Sequence, residues 1–457
     1  MKITFLGATG TVTGSCYLLE TSEHKILIDF GLYQEENEDN SEINFDPKEI
    51  DAVLLTHSHI DHVGRIPLLF KKGFTGKVYC TNQTKELAVI MLKDSANIQE
   101  RATEFENESR IKAGLDKKEP LYNMADVEIS LAYFYPIPFN KKEAFNNVTF
   151  EFIESGHILG AASILIDIKE NNYHETICFS GDLGNSGNLL LDPPKFNGEC
   201  DYLVMESTYG NRIHEDVKLR SEKLGNILLD IYNNKEIGII PTFSLGRTQN
   251  IILELKKLMK IDKYKALTNL PIYIDSPLGL KATKIYENNK ESLKDNLMHE
   301  QNLFSLDNAH FIEELKETFT IMRSDNPKLI ISSSGMCNGG KILFYLKEFL
   351  KSNLTNIIFI GYQAENTLGR KILEKTTSVF INKKEYKVNA KIHKINGYSA
   401  HADQTDLINF VTNLKKSPDI IFITHGEDDS REVLKDKLTE KGYRNIILPV
   451  KNKQIQM

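Results

Sequence analysis

Short apolar runs separated by polar or glycine-containing turns dominate the first part of the chain. Runs of this length with turn residues at both ends predict β-strands. The predicted strands are residues 3–6, 16–20, 25–29, 53–55 and 78–81. A helix is predicted from about Thr84, and residues 95–121 have a charged helical pattern with few large apolar residues. We therefore expect that segment to lie over the outside of a core.

The strand pattern returns later and changes character after Glu206. The next predicted strands are residues 148–154, 161–168 and 176–180. Beyond Glu206, apolar strands alternate with loops and helical patterns, which predicts a parallel sheet covered on both faces. The strands of this sheet are predicted at residues 237–241, 272–275, 329–332 and 357–361. Ligand-facing loops are expected beyond their carboxyl ends, at residues 242–247, 276–279, 333–340 and 362–370.

Three histidines and an aspartate lie within six residues directly after the predicted strand at 53–55. Imidazole nitrogens and carboxylate oxygens are ligands that suit zinc. His57 and His59 are two apart on an extended segment and point to the same side, whereas Asp61 and His62 turn away. One ion cannot easily take all four, so the spacing predicts two neighbouring metals. A solvated histidine-rich loop is the alternative, and the apolar strand before the group argues against it.

The composition narrows the class of protein. The chain has 457 residues, of which 41% are hydrophobic and 26% charged, and this length favours two domains of a soluble globular protein. No apolar run approaches the length of a membrane span, and the first residues lack the pattern of a signal peptide. The net charge of −7 neither indicates nor excludes a nucleic-acid partner, because a metal cluster and a local basic groove can hold phosphates on an acidic protein.

The cysteines give no sign of a disulfide framework or of a cysteine zinc site. Their odd number and the absence of CxxC spacing indicate a reducing cytoplasm. Each is predicted to be a small buried hydrophobe. They are Cys16, Cys80, Cys178, Cys200 and Cys337.

Further acids and histidines follow other predicted strands. The complete set is Asp29, His57, His59, Asp61, His62, His157, Asp182, Glu206, His401 and His425. A two-zinc site with one bridging carboxylate would use most of them, would generate a bound hydroxide near neutral pH and would hold the attacking and leaving oxygens of a displacement. A remaining carboxylate and histidine could donate a proton to the leaving group.

The same residues match the motifs of a known family in order. Asp29, the block at residues 57–62, His157 and Asp182 correspond to its first four motifs, and Glu206, His401 in Ser-Ala-His-Ala-Asp and His425 in Thr-His-Gly-Glu correspond to three more. Over essentially its full length the chain resembles a metallo-β-lactamase-fold nuclease of the β-CASP family, close to bacterial and archaeal relatives of the cleavage-and-polyadenylation endonuclease. The resemblance implies an α/β fold with a metallo-β-lactamase αββα sandwich formed by residues 1–208 and 387–457. A β-CASP domain, a parallel sheet flanked by helices, would be inserted at residues 209–386.

The resemblance also implies a role for each residue of the set. His57, His59 and His157 would bind a first zinc ion. Asp61, His62 and His425 would bind a second, and Asp182 would bridge the two. Glu206 and His401 would form the pair that protonates the leaving oxygen, and Asp29 would orient a ligand from behind. Catalytic roles are thus implied for Asp61, Asp182, Glu206 and His401.

Substrate contacts are predicted in the second half of the chain. Ser333, Ser334 and Gly335 lie in a strand-to-helix turn that could present N–H groups and hydroxyls to an anion. A plain tight turn is the alternative for this segment, and the resemblance favours phosphate binding. Arg247 and Arg370, together with Lys341, are predicted loop cations that could contact a nucleic-acid backbone, although a solvated surface charge is the commoner role for such residues.

The function predicted from the whole pattern is a zinc-dependent ribonuclease. It would hydrolyse phosphodiester bonds of single-stranded RNA by a two-metal hydroxide mechanism in a cleft between the domains, with two Zn²⁺ per chain. The same ligands accept manganese or iron. We expect RNA as the partner, no membrane partner, a cytoplasmic location and a homodimer as a possible assembly.

Three alternatives stay open at this stage. A DNA-directed β-CASP nuclease is the nearer rival, and by resemblance alone the histidine at the His425 position favours the RNA-acting branch. A small-molecule metallohydrolase would share the first four motifs but would not need Glu206, the motif around His401 or an inserted domain. A metal-free RNA-binding scaffold would have lost ligands, whereas every ligand position here is filled.

Overall fold

The computed structural model describes residues 1–35, 38–145, 147–170, 173–364, 366–374 and 376–457. The chain divides into two compact units. The first unit is Met1–Ser186, Asp192–Ile213 and His401–Met457, and the second is Gly187–Leu191 and His214–Ala400. The domain limits predicted at residues 208 and 386 remain a prediction, and the two compact units meet along the chain near residues 213 and 400.

Two mixed sheets form the centre of the first unit, each with seven strands within the described residues. In spatial order the first sheet is Lys453–Gln456, Lys2–Phe5, Tyr17–Glu20, Lys25–Ile28, Ala52–Leu54, Lys77–Cys80 and Phe134–Pro136. The second is Ile446–Ile447, Ile420–Ile423, Tyr202–Met205, Tyr173–Phe179, Ala162–Glu170, Val148–Glu154 and Glu143–Phe145. The predicted strands of this region are confirmed, with bounds that differ by at most three residues.

Alternating side chains explain why the two sheets pack face to face. In Val148–Glu154 the buried residues Val148, Phe150 and Phe152 alternate with less buried ones. They pack in one apolar cluster with Ile3, Phe5 and other side chains of the first sheet. Burying an aromatic or aliphatic side chain of this size stabilises a core by about 1.5–3 kcal/mol. The central layer therefore holds the two sheets together and fixes the strand ends from which the polar residues project.

Helices cover the outer faces of both sheets, which completes four αββα layers. They are Ile60–Val63, Ile66–Lys71, Asn82–Lys112 and Met124–Leu131 beside the first sheet, and Gln404–Thr412 and Asp428–Glu440 beside the second, with a 3₁₀ turn at Pro47–Glu49. The long helix begins after Thr81, whose side chain accepts the Thr84 N–H. It ends at Lys112, so the helical pattern predicted up to residue 121 is wrong for residues 113–121, where Gly114 has a positive φ. Within the described residues, no helix has both the length and the apolar character needed to cross a membrane.

The second unit has a six-stranded sheet in its described residues, and every pair of strands in it is parallel. In spatial order the strands are Ala309–Phe311, Ile272–Asp275, Lys328–Ser332, Ile237–Pro241, Thr355–Phe359 and Lys391–Lys394. The central strands are buried throughout, as expected for a parallel sheet with helices on both faces. The helices are Val217–Asn233, Arg247–Met259, Pro277–Asn288, Asp295–Met298, Leu315–Arg323, Ile342–Phe349 and Leu368–Leu373, with 3₁₀ turns at Asp262–Asn269 and Lys290–Ser292.

A small antiparallel hairpin, separate from this sheet, completes the second unit. Its strands are Ser378–Ile381 and Lys384–Lys387, joined by Asn382 and Lys383. Both joining residues have positive φ angles, the conformation that a two-residue hairpin turn requires. The hairpin presents its turn and one face to solvent.

Candidate metal centre

The predicted polar residues of the first unit converge because each follows a strand whose carboxyl end reaches the same region. His57 and His59 lie after Ala52–Leu54, and His59 begins the short helix that carries Asp61 and His62. His157, Asp182, Glu206 and His425 follow the strands Val148–Glu154, Tyr173–Phe179, Tyr202–Met205 and Ile420–Ile423. His401 precedes the helix Gln404–Thr412 and is held by a bridge to Gly184. The structure thus brings together residues that are up to 368 positions apart, from His57 to His425.

The first group consists of His57, His59 and His157 around one oxygen of Asp182. The His59 Nδ1 atom lies 3.1 Å from the Nε2 atoms of both His57 and His157. Those two Nε2 atoms lie 3.4 and 3.5 Å from Asp182 Oδ2. Four ligand atoms at the corners of a tetrahedral zinc site with ordinary bond lengths are about 3.3 Å apart. The spacing within this group therefore fits one tetrahedral ion.

The second group consists of His62, His425 and Asp61 beside the other oxygen of Asp182. The two Nε2 atoms of the histidines are 3.2 Å apart, and His62 Nε2 lies 3.3 Å from Asp182 Oδ1. Asp61 Oδ2 lies 3.6 Å from His425 Nε2 and 3.9 Å from His62 Nε2. This group is somewhat wider than the first, and its donor atoms also suit a divalent ion.

Asp182 has both carboxylate oxygens buried, and neither accepts a hydrogen bond from the described residues. A buried carboxylate without hydrogen bonds is costly unless an ion or a charge compensates it. Burial would raise the pKa of Asp182, but the imidazoles of His425, His62 and His57 beside it hold the pKa well below its ordinary value. The carboxylate is therefore ionised and has one oxygen directed at each group, which is the arrangement that suits a bridging ligand.

The histidines of the first group favour the form that binds metal. Burial lowers the pKa of His57 and of His157, and neighbouring imidazoles lower both further. Burial likewise lowers the pKa of His59 to about 4. Metal ligands must be neutral imidazoles, so near neutral pH these rings need lose no proton when an ion binds.

Asp29 lies behind the second group, in contact with His62 and Thr56. Its Oδ2 atom lies 2.7 Å from His62 Nδ1, and its Oδ1 atom accepts hydrogen bonds from the backbone N–H and the hydroxyl of Thr56. Burial would lower the pKa of His62, but the carboxylates of Asp182 and Asp29 raise it well above its ordinary value. A carboxylate on the far nitrogen of a ligand imidazole fixes its tautomer and ring direction, and Asp29 is placed to do this for His62.

Glu206 and His401 form a pair at the edge of the groups. The His401 Nδ1 atom lies 3.2 Å from both Glu206 oxygens and 3.9 Å from Asp182 Oδ2. The backbone N–H of Leu183 donates to Glu206 at 2.6 Å, which fixes the carboxylate. Burial would lower the pKa of His401, but the carboxylates of Glu206 and Asp182 raise it above its ordinary value. The His401 side chain is 18% exposed, so this pair reaches solvent, whereas His57 and His157 of the first group are buried.

The predicted substrate residues lie in the second unit, where hydrogen bonds hold most of them. Ser333 Oγ lies 3.1 Å from Ser276 Oγ, Ser334 Oγ donates to the Gly339 carbonyl, and the Gly335 carbonyl accepts from Gln363. These turns lie beyond the carboxyl ends of the parallel strands, as predicted. The hydroxyls of Ser244, Ser276 and Ser333 form a continuous chain across three strand ends.

The prediction that Arg247 and Arg370 lie on loops is wrong, whereas Lys341 does lie in a turn. Arg247 begins the helix Arg247–Met259, is only 9% exposed, and stacks on the Phe243 ring at 5.1 Å. Arg370 lies within Leu368–Leu373 and pairs with Glu374 at 2.6 Å. The helices of Arg247 and Arg370 begin inside the loops predicted at residues 242–247 and 362–370, so the sequence pattern set these two boundaries too late. Lys341 lies in the turn directly before Ile342–Phe349 and pairs with the fully buried Asp275 at 2.6 Å.

Sequence reasoning missed several residues that support the site. Thr56 joins Asp29 to the histidine block, and the Thr208 hydroxyl lies 3.2 Å from His425 Nδ1. In the second unit, Asp275 accepts hydrogen bonds from Tyr345 and Thr318 beside its ion pair with Lys341. Thr56 and Asp275 each adjoin a predicted strand end, which is the one signal that could have found them. Nothing in the local sequence marks Thr208.

Comparison with known families and proteins agrees with this architecture. Three family models match in succession: the Metallo-beta-lactamase superfamily over residues 9–227, the Beta-Casp domain over residues 248–372, and the Zn-dependent metallo-hydrolase RNA specificity domain over residues 385–449. A crystal structure of a protein of unknown function from Enterococcus faecalis V583 has a TM-score of 0.54 at 13% identity and covers 99% of both chains, which supports the fold alone. The fold and the cluster thus define a metallo-hydrolase of the metallo-β-lactamase class.

Curated relatives narrow the family further. Ribonuclease TTHA0252 of Thermus thermophilus is 30% identical over 97% of this chain and 97% of its own length. Probable RNase MJ4 of Methanocaldococcus jannaschii is 31% identical over the same shares. Transcription termination factor FttA of Methanococcus maripaludis is 29% identical over 93% of this chain and 67% of its own length. The chain belongs to the β-CASP family of metallo-β-lactamase-fold ribonucleases, and the predicted family and fold class are confirmed.

Proposed function

We propose that this chain is a ribonuclease that hydrolyses phosphodiester bonds of single-stranded RNA with two zinc ions. The observation that carries the proposal is the placement of Asp182, whose two carboxylate oxygens accept no hydrogen bond from the described residues and each adjoin a separate group of ligand side chains. Relatives named as ribonucleases along almost the whole chain support RNA as the substrate.

The residues that would hold the metals are those of the two groups. His57, His59 and His157 would bind one ion, Asp61, His62 and His425 the other, and Asp182 both. When bound, such ions activate a water nucleophile and stabilise the charge on the reacting phosphodiester oxygens. The nitrogen-rich donor set favours zinc, and manganese or iron would be accepted by the same atoms.

Glu206 and His401 would manage the proton of the leaving group. Hydrolysis expels a ribose oxygen, which needs a proton as its bond to phosphorus breaks. His401 is the partly exposed member of the pair, and its Nδ1 atom is held by the Glu206 carboxylate. That contact directs the rest of the imidazole away from Glu206, where its other nitrogen could donate to the leaving oxygen.

The second unit would supply the contacts that select RNA. Ser333, Ser334 and Gly335 offer hydroxyls and backbone groups, and the partly exposed Arg370 offers a charge that Glu374 only partly neutralises. Arg247 would act by holding the loop around Phe243 and not by a direct charge contact. We also propose that the domains are divided at residues 208 and 386 and that the chain forms a homodimer. A cytoplasmic location is proposed as well, because the five free cysteines are buried and suit a reducing compartment.

Cleavage assays on matched substrates test this function. The metal-loaded wild type should cut a single-stranded RNA and leave the DNA of the same sequence intact, and it should carry two zinc ions by elemental analysis. The Glu206→Gln variant should keep both ions and lose activity by about 10²- to 10⁴-fold, as expected for loss of acid–base catalysis. Equal cutting of DNA would favour the DNA-directed alternative. Two bound zinc ions with every RNA left intact would rule out the ribonuclease.

A further inference from the structure

The hairpin of the second unit carries an exposed aromatic residue among lysines. Phe380 is 68% exposed on the strand Ser378–Ile381, whereas its neighbours Val379 and Ile381 are buried. Isolated exposed apolar residues are common on protein surfaces. Because side chains alternate along a strand, Phe380 lies on the face opposite Val379 and Ile381, and its flat ring is open to solvent.

The charge around this ring is the opposite of the charge of the whole protein. Residues 378–394 contain five lysines and one glutamate, a net charge of +4, in a chain whose net charge is −7. Lys391 is neutralised by Glu236 at 2.5 Å, so it does not contribute to an open basic surface. Lys383, Lys384 and Lys387 of the hairpin are all exposed.

The strand register places one of these lysines on the same face as the ring. Ser378 pairs with Lys387, and Phe380 pairs with Glu385. Lys387 is therefore the diagonal neighbour of Phe380, within reach of a long side chain. The Ser378 hydroxyl donates to Glu385 at 2.5 Å, which draws that carboxylate along the strand, and Lys383 lies in the turn next to the ring.

Protection of a sheet edge does not explain the combination. Lysines on exposed strands prevent edge-to-edge aggregation, but an exposed phenylalanine beside them promotes it. An aromatic ring flanked by cations is instead the pattern that binds single-stranded nucleic acid, because bases stack on the ring and phosphates pair with the lysines.

We propose that Phe380, Lys383 and Lys387 form a stacking platform that binds a base and its adjoining phosphates of single-stranded RNA. This inference rests on the proposed function for the identity of the nucleic acid. It adds a binding site made of residues other than those that hold metal or adjoin Ser333. The same platform would let long RNA bind more tightly than an RNA of a few nucleotides.

The absence of tryptophan from the chain permits a direct test. In an Asp182→Asn background, which should bind RNA without cutting it, Phe380→Trp introduces a single indole whose emission stacked bases should quench when a 20-nucleotide oligouridylate is added. Phe105→Trp is the matched control, because Phe105 is 74% exposed on a helix beside Glu104 and Glu106. Its emission should stay unchanged. If saturating RNA leaves the emission of the Phe380→Trp variant unchanged, as it should leave that of the control, the platform is overturned.

Affinity measurements give an independent result. By fluorescence anisotropy with the same RNA, Phe380→Ser should weaken binding about five- to tenfold, whereas Phe105→Ser should have no effect. Lys387→Gln should reduce the slope of log affinity against log salt by about 0.7, the value for one phosphate contact in a single strand. Unchanged affinity and slope would contradict the proposal.

The platform and the proposed function can fail separately. If the wild type cuts RNA while the Phe380→Trp indole is not quenched, the platform is wrong and the ribonuclease stands. If quenching and weakened binding are found while the metal-loaded wild type cuts no RNA, the platform stands and the ribonuclease is wrong. Cleavage of a four-nucleotide RNA should be equal in the wild type and in Phe380→Ser, because so short a strand gains little from a second site.

Discussion

The two units differ in how far hydrogen bonds satisfy a buried aspartate near the end of a strand. In the first unit, Asp182 is buried with two oxygens that accept no hydrogen bond from the described residues, and ligand nitrogens crowd around it at 3.3–3.6 Å. In the second unit, the equally buried Asp275 is satisfied by Lys341 and Tyr345, both at 2.6 Å, and by Thr318 at 2.7 Å. Asp275 ends a strand and Asp182 follows one, but only Asp182 accepts no hydrogen bond from the described residues.

The difference shows how a metal site is distinguished from an internal polar network. A satisfied network stabilises its own unit and needs nothing from outside, whereas a half-satisfied one is costly until something completes it. The first unit carries that cost in a crowded group of imidazoles and carboxylates, which a divalent cation would relieve. The comparison predicts that changes in the first centre alter metal content and activity, and that changes in the second alter stability alone.

The largest effect is expected from Asp182→Ala. Removal of the residue whose two carboxylate oxygens face the two groups should abolish the retention of at least one ion. It should also lower RNA cleavage by about 10⁴-fold or more, as when one member of a catalytic unit is lost. Elemental analysis and a cleavage assay measure the two outcomes. Asp192→Ala, at an exposed aspartate of the same unit, should leave both unchanged. Full zinc content in Asp182→Ala would contradict the bridging role.

The next largest effect is expected when a chelator removes the metal. An ion that binds only the folded state adds about 4 kcal/mol to the free energy of unfolding when its free concentration is 1,000 times its dissociation constant. A chelator should therefore lower the unfolding temperature of the wild type substantially. In the Lys341→Met variant the chelator should lower the unfolding temperature by the same amount, because the network of Asp275 and Lys341 in the second unit does not bind metal. No shift in the wild type would mean that the first centre is stable without an ion.

Lys341→Met should destabilise the second unit by about 3 kcal/mol, because it leaves the Asp275 charge buried without its cation. Denaturant unfolding measures the loss. Lys351→Met is a suitable control, since Lys351 makes an exposed ion pair with Glu348 in the same unit and should change stability by less than about 1 kcal/mol. Zinc content should be normal in both. A loss of zinc in Lys341→Met would remove the contrast between the centres.

The smallest effect is expected from Asp29→Asn. Residues that orient a metal ligand from behind change metal affinity by about 10- to 100-fold. Asp29 contacts His62 Nδ1, so the affinity of the second group should fall within that range while the first group keeps its ion. Competition with a zinc-binding dye would measure the two affinities. A uniform loss at both groups would indicate a general distortion of the fold.

Local pattern predicted most of the strands and the residues that would bind metal, for different reasons. Buried strands of the second unit such as Ile237–Pro241 and Lys328–Ser332 are continuous apolar runs, which are among the strongest local signals. The helix boundaries around Arg247 and Arg370 were less predictable, because charged residues are common both in loops and in first helical turns. The end of the long helix at Lys112 depended on a positive φ at Gly114 that no periodicity marks.

The sequence by itself determined the chemistry of the site and the class of fold. Histidine and acid spacing within residues 57–62 indicates metal whatever the rest of the chain does, and the motifs around His401 and His425 carry the family resemblance. Only the tertiary structure decided which oxygen of Asp182 meets which histidines, and which strand-end carboxylate is satisfied by the protein. Hydrogen bonds such as that from Tyr345 to Asp275 join residues 70 positions apart. Such contacts depend on sheet order and on the packing of helices, which one-dimensional spacing does not contain.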